Sequence, residues 1–384
     1  MEAFNNEPSP TLLRGPKGSM KRILVFSVLS LLAMAPSYAQ TKGQGLFDVD
    51  ARRTALAQPA LTTVRAACLA IPRDPSWTNL KPIDGLKAAD GSGMDGGVNN
   101  YAWAVMALTG RALAGDPASE TSLRDLLLAW AKAKAFENTE VVSDDYYVLK
   151  RMLLPTITAY SVLHRSLDES QRRIISGWID SLVRKIYRTF DTDADRNNHR
   201  SLDDSIFMTW GAVMSDETLY DKGYRGYRAI LAGARPDGSL VLETRRGARA
   251  LWYMRQSLAS LTVMAEVAAT RGTDLYGLRE GEANFDRLLS YLLNGIAEPA
   301  VVMAYASEND SPGAEADFRR QDVSFMAKRS QGRHYMAWVE PVVARDRAGL
   351  ATKRLKTLLT RSFRSDRPLI DELAGGNATC FWGR

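Results

Sequence analysis

Histidine and cysteine are scarce, with three and two among 384 residues. No zinc-type spacing of Cys and His occurs, so a transition-metal site is not expected, and two cysteines cannot form a disulfide framework. The fold must therefore rest on its apolar core. Past residue 40 no apolar run is long enough to cross a bilayer. Long basic tracts and nucleic-acid-binding motifs are absent too, although the net charge is +6. Strand signals are few; the best is Ser239-Leu240-Val241-Leu242, after the turn at Pro236-Asp237-Gly238. What is present is ordinary globular material, 45% hydrophobic and 24% charged. The chain is long enough for a large core, and its basic balance suits an acidic partner.

The N-terminal region narrows the choice of partner. From Met20 the chain reads MKRILVFSVLSLLAMAPSYAQ. Lys21 and Arg22 form a positive start, Ile23 to Met34 an apolar stretch short for a membrane span, and Ser37-Tyr38-Ala39 a small-residue cleavage site. This pattern predicts a Sec signal cleaved near Ala39. Residues 1–39 would then be an upstream extension plus signal, and residues 40–384 a single domain, periplasmic or secreted. Export points away from nucleic acid and from the membrane after cleavage, and toward an anionic polysaccharide. A monomer is expected. In an oxidising compartment Cys68 and Cys380 either pair or remain two buried thiols.

Helical spacing of apolar residues recurs through the chain: 48–69, 100–114, 120–136, 147–166, 169–190, 202–214, 216–234, 247–270, 282–297, 324–345 and 351–364. Breaks fall at Gly115-Asp116-Pro117, at 191–198 and at Arg235-Pro236-Asp237-Gly238. Helices joined by short links predict an all-α fold of antiparallel helix pairs, either an (α/α) toroid with a cleft where the loops meet or an irregular bundle. Residues 71–98 break the pattern with Gly, Pro and Asp; such a loop is either a lid over a cleft or unstructured.

Two stretches offer chemistry. In ADRNNHRSLDD, Asn198 and His199 stand among hydrogen-bonding side chains, although a helix cap would use the same residue types. In ETRRGARALWYMRQSL, Arg246 and Tyr253 lie seven residues apart and share a helix face. The alternative there is an Arg246–Glu243 surface pair beside a core tyrosine. His164 sits in an apolar helix and reads as structural; His334 is open.

These residues also carry a resemblance. Asn197-Asn198-His199, then Asp237-Gly238-Ser239-Leu240 and Glu243-x-x-Arg246-x-x-Arg249-Ala250-Leu251-x-Tyr253, and later Trp338-Val339-Glu340-Pro341, are similar to the motifs of the alginate lyases of polysaccharide lyase family 5. The resemblance implies an incomplete (α/α) toroid with a lid loop. It also implies cleavage of 4-O-linked polyuronates by β-elimination, without metal or organic cofactor. It makes Asn198, His199 and Arg246 the groups that neutralise the C6 carboxylate, and Tyr253 the acid/base. The family's residues after the tyrosine, often His-Asn-Tyr, are Met254-Arg255-Gln256 here, and the lid's tyrosine is missing near Lys87. That widens the expected substrates from polymannuronate to polyglucuronate and hyaluronan. Trp77, Tyr146, Tyr147 and Trp252 are candidates to stack on sugar rings, and Lys81, Lys87, Arg249 and Arg345 to meet carboxylates; each has a structural or solvated alternative. Two other functions fit a helical toroid: a glycoside hydrolase using Asp203 or Asp204 with Glu243, and a non-catalytic polysaccharide-binding protein.

Overall fold

Asp116 and Pro117 show how this chain restarts a helix. The Asp116 carboxylate accepts from the N–H groups of Ala118 and Ser119, and Pro117 takes a first-turn position where no N–H is needed. Gly115, at φ +87°, supplies the left-handed turn before them. Repeats of this device divide the computed structural model, which describes residues 44–86, 96–141, 143–189, 197–311 and 313–384. The segment read as an export signal, and Lys87, lie outside the described residues.

The helices are α1 (Val49–Leu56), α2 (Thr62–Leu69), α3 (Gly96–Leu113), α4 (Pro117–Lys132), α5 (Ser143–Leu163), α6 (Glu169–Thr189) and α7 (Asn198–Met214). They continue with α8 (Glu217–Ala232), α9 (Val241–Thr244), α10 (Ala250–Thr270), α11 (Phe285–Ala297), α12 (Val339–Ala344), α13 (Leu350–Arg361) and α14 (Ala378–Trp382). Two short antiparallel ladders, Arg279–Glu280 with Ala283–Asn284 and Ile370–Asp371 with Gly376–Asn377, trim the ends.

Helices α3, α5, α7 and α10 pack in sequence as an inner wall, each backed by an outer helix: α4, α6, α8 and α11. Burial follows from the residue pattern. Helix α7 is buried from Arg200 to Val213 and α10 from Met254 to Ala268, as inner helices must be. Helix α8 buries only the stripe Leu219, Tyr220, Gly223, Gly226, Tyr227, Ile230 and Leu231, leaving a polar outer face. Gly223 and Gly226 let α8 lie directly on α7; a Cβ there would come within 2.4 Å of the Asp204 carbonyl oxygen and 2.1 Å of its carboxylate. The result is the expected all-α, incomplete (α/α) toroid.

Several local expectations are corrected. The stretch 48–69 is two helices, because Pro59 cannot continue α1 and opens a 3₁₀ turn instead. Only α12 forms within 324–345; before it run two 3₁₀ turns, with Gln331 and Gly332 at positive φ. Ser239 to Leu242 makes one bridge, Leu240 with Ala234, and then enters α9. The described half of the 71–98 loop is also no free lid. The N–H groups of Phe136, Asn138 and Glu140 donate to the carbonyls of Ile83, Asp84 and Leu86, at 2.7, 3.1 and 3.1 Å.

Cys68 on α2 and Cys380 on α14 form a disulfide, with Cα atoms 5.0 Å apart across 312 residues of sequence. Closing so long a loop removes chain entropy from the unfolded state, about 6 kcal/mol in the chain-entropy picture, of which native disulfides typically deliver about 2–5 kcal/mol. Replacing both cysteines with alanine is expected to lower Tm by about 5 °C in a thermal melt, given the size of the unfolding entropy. A double variant melting at the wild-type temperature would show that the link adds nothing.

Candidate active site

Helix α7 begins at the site. The Asn197 side chain is the cap, accepting from the N–H groups of His199 at 3.0 Å and Arg200 at 3.3 Å. The cap role anticipated for this stretch therefore falls to Asn197, and the side chains of Asn198 and His199 are directed elsewhere. Asn198 is 2% exposed, and its amide N–H donates to Gln256 Oε1 on α10. The His199 ring stacks on Tyr147 of α5, with centroids 4.3 Å apart and planes 14° from parallel. Burial, then the charges of Lys150 and Arg246, push the imidazole down to about 4, so it is neutral at neutral pH. Lys150 Nζ lies 2.8 Å from Asp203 Oδ2 in a fully buried pair, and burial raises that carboxyl to about 6.

The second wall comes from the turn between α9 and α10. Arg246 precedes a 3₁₀ turn, Gly247–Arg249, and its guanidinium sits 4.1 Å from the centre of the Tyr253 ring. The two groups meet, though not on one helix face: α10 begins only at Ala250, and Gly247 at positive φ breaks the helical course between them. The charge of Arg246 also bears on His199. Arg249 hydrogen-bonds to the half-buried Tyr253 and pairs with Glu315 at 2.9 Å. Gly247 makes this approach possible: at φ +51° it lies where a Cβ would meet the Glu315 carbonyl oxygen at 1.6 Å. The result is a half-buried phenol bordered by two guanidinium groups, one of which also bears on the neutral imidazole.

The other candidates separate. Tyr147 is in the site through His199. Trp252 is half-buried and packs edge-on against Tyr335 at 4.9 Å and Phe325 at 5.9 Å. Lys81 is exposed on the described part of the 71–98 loop. Trp77 is only 8% exposed and belongs to the core, so it has no face for a sugar. Tyr146 is 2% exposed, donates to the Lys185 carbonyl at 3.3 Å, and is likewise a core residue. Arg345 grips Glu266 through two bonds of 2.9 and 2.6 Å. Glu266 lies more than three turns beyond Tyr253, about 20 Å along α10, so Arg345 fastens the far end of that helix. His164 packs edge-on against Tyr160, and His334 is buried with its Nδ1 accepting from the Met336 N–H.

Residues not anticipated from sequence form a cluster behind Tyr147. Arg151, Arg329 and Arg333 surround Glu372 at 3.2, 2.7 and 3.0 Å, and Arg329 also meets Asp371 at 2.8 Å. Arg255 is fully buried, with its guanidinium 4.7 Å from the Tyr335 ring centre and 5.4 Å from that of Trp252. The Tyr147 hydroxyl is set among Arg151, Arg255, Asp371 and Tyr335, and burial pushes it up to about 12. Four guanidinium groups against two carboxylates leave positive charge beneath the stacking tyrosine. The three burial-prone acids Asp203, Asp204 and Glu243 are 0–1% exposed.

Fold and site together define an all-helical toroid with an Asn-His pair on one inner helix and an Arg-Tyr pair at the start of another. The alginate lyase family model matches residues 97–302, and the chain belongs to that family. A polysaccharide lyase of Stenotrophomonas maltophilia is 32% identical over 190 residues, 48% of this chain and 57% of that protein. An alginate lyase of Pseudomonas syringae pv. syringae is 25% identical over 225 residues, 56% of this chain and 55% of that one. The chain thus spans about half the length of the curated relatives it matches. Among solved structures, a form of alginate lyase A1-III complexed with tetrasaccharide matches with TM-score 0.74 and 22% identity, over 91% of this chain and 98% of that one. An alginate lyase from Bacteroides ovatus matches with TM-score 0.59 and 14% identity, over 89% and 99%. These two establish likeness of fold.

Proposed function

We propose that the protein is an exported lyase that cleaves 4-O-linked anionic polyuronates by β-elimination, leaving a 4,5-unsaturated uronate at the new end. Membership of the alginate lyase family supports this. The observation that carries it is Tyr253 held between Arg246 and Arg249, with the charge of Arg246 also felt at His199.

The C5 proton of a uronate is weakly acidic, because the adjacent C6 carboxylate resists further negative charge. Arg246 offers fixed positive charge to that carboxylate and Asn198 an amide donor, so the charge that develops in the transition state is met by groups already in place. Tyr253, with one guanidinium over its ring and another beside it, is the base. It takes H5; the C5 electron pair forms the C4=C5 bond; the C4–O4 bond breaks; and Tyr253 returns the proton to O4. One phenol can serve both transfers only where H5 and O4 share a face of the ring. They do in β-D-mannuronate and D-glucuronate. In L-guluronate they do not, and His199, neutral and on the other wall, is the base available for anti removal. The positive excess beneath Tyr147 suits a polymer with a carboxylate on every unit.

The test is purified protein incubated with polymannuronate, polyglucuronate and hyaluronan across pH, followed by the ultraviolet absorbance of the unsaturated product. Absorbance is expected with the first two at least. New reducing ends without absorbance would indicate a hydrolase, which the burial of Asp203, Asp204 and Glu243 disfavours. Binding without any cleavage would indicate a carrier.

A further inference from the structure

One acidic side chain in the site has no place in the chemistry above. Glu243 is 1% exposed and lies behind Asn198 and Arg246. Its Oε1 accepts from Ser257 Oγ at 2.8 Å, while its Oε2 is buried with no partner among the described residues. The Asn198 side-chain oxygen is also buried with no partner among the described residues, and the backbone N–H of Asn198 bears on the Glu243 carboxyl. Two buried acceptors on neighbouring residues, each lacking a donor, are costly if neither carries a proton, and a proton shared between them would satisfy both.

We propose that Glu243 is held protonated in the resting protein and acts as a positioning residue, its carboxyl O–H donating to the Asn198 side-chain oxygen. That bond, with the one from the Asn198 amide to Gln256, uses the oxygen and one N–H of the amide and leaves the second N–H for a substrate carboxylate. Gln256 and Ser257 stand one helical turn beyond Tyr253, so α10 fixes the acid/base, the amide and the carboxyl from one surface.

The environment agrees with a neutral acid. Burial raises the Glu243 carboxyl to about 7 against the pull of the Ser257 hydrogen bond, the Arg246 charge and the Asn198 N–H. Of the charged groups on elements packed around it, Arg246 bears on it. Arg245 is turned to Glu308 at 3.5 Å, and His199 on α7 is uncharged at neutral pH. Ionisation would place a negative charge behind the amide that must meet an anionic sugar. Rising pH would then weaken substrate alignment independently of Tyr253.

This inference rests on the lyase reading for its kinetic arm only. Glu243→Gln reproduces the protonated acid, with an N–H for Asn198 and an oxygen for Ser257. It is expected to keep at least about a third of wild-type kcat near pH 6, whereas Glu243→Ala loses about 100-fold. The ratio of Glu243→Gln to wild-type kcat/KM on polymannuronate should rise about tenfold between pH 6 and pH 9. A Gln variant as inactive as the Ala variant throughout, or a flat ratio, overturns the proposal. A second arm needs no activity: urea unfolding of both proteins across pH. The folded carboxyl titrates above its unfolded value near 4.5. Wild type should therefore lose stability relative to Glu243→Gln as pH rises from about 4.5 to about 7, and no further above that. Equal pH dependence in the two proteins overturns the proposal even if no substrate is cleaved.

Discussion

Tyr253→Phe is expected to lower kcat on polymannuronate by about 10³–10⁴-fold while changing KM by less than about threefold. General acid–base groups contribute about 10²–10⁴-fold each. One phenolic oxygen here serves both the removal of H5 and the protonation of O4, so its loss falls at the upper end. The ring itself stays. Its contact with Arg246 is through the aromatic face, with the guanidinium 4.1 Å from the centroid, and phenylalanine preserves that face. Binding contributed by Arg246 and Asn198 should survive for the same reason. Initial rates of double-bond formation, paired with calorimetric binding of an oligouronate, separate the two effects. Retention of more than a tenth of wild-type kcat would remove Tyr253 from the proton path. A parallel loss of binding would mean that the hydroxyl mainly orders the site.

How much of this site was legible in the sequence depends on how its residues are joined. Arg246 and Tyr253 were legible because only seven residues separate them, although left-handed Gly247 takes Arg246 off α10 and their contact is made across that turn. Asn198 and His199 were legible as polar residues before a helix, although the cap belongs to Asn197. Pairing across the toroid was not. The cluster of Arg151, Arg255, Arg329, Arg333, Asp371 and Glu372 draws on helices α5 and α10 and on two distant C-terminal segments, and local periodicity carries no information about such meetings. Tyr147 and Arg151, four apart on α5, and Trp252 and Arg255, three apart on α10, left local traces. The errors have a common cause. Trp77, Tyr146 and Arg345 are amphipathic residues whose type suits a sugar site and a core boundary equally well. The burial of Trp77 and Tyr146, and the grip of Glu266 on Arg345, were decided by tertiary neighbours.

The same reasoning makes Arg246 the most demanding position for charge. Arg246→Ala is expected to cost about 10²–10³ in kcat, the usual loss when one preorganised donor to developing negative charge is removed. The effect should lie mainly in kcat, because the carboxylate gains charge toward the transition state and Arg246 is matched to that gain. Arg246→Lys restores a positive charge but not the planar fork or the stacking on Tyr253, so it should recover only part of the loss. Arg249 supplies the contrast. Its side chain is 44% exposed and paired with a comparably exposed Glu315, so much of its charge is already compensated and solvent-screened. Arg249→Ala should therefore cost less than about tenfold. Steady-state kinetics of the three variants on one polyuronate tests the ordering. If Arg249→Ala proves as damaging as Arg246→Ala, the carboxylate is met from the exposed side of the phenol. The assignment of Arg246 as the neutralising group would then be wrong.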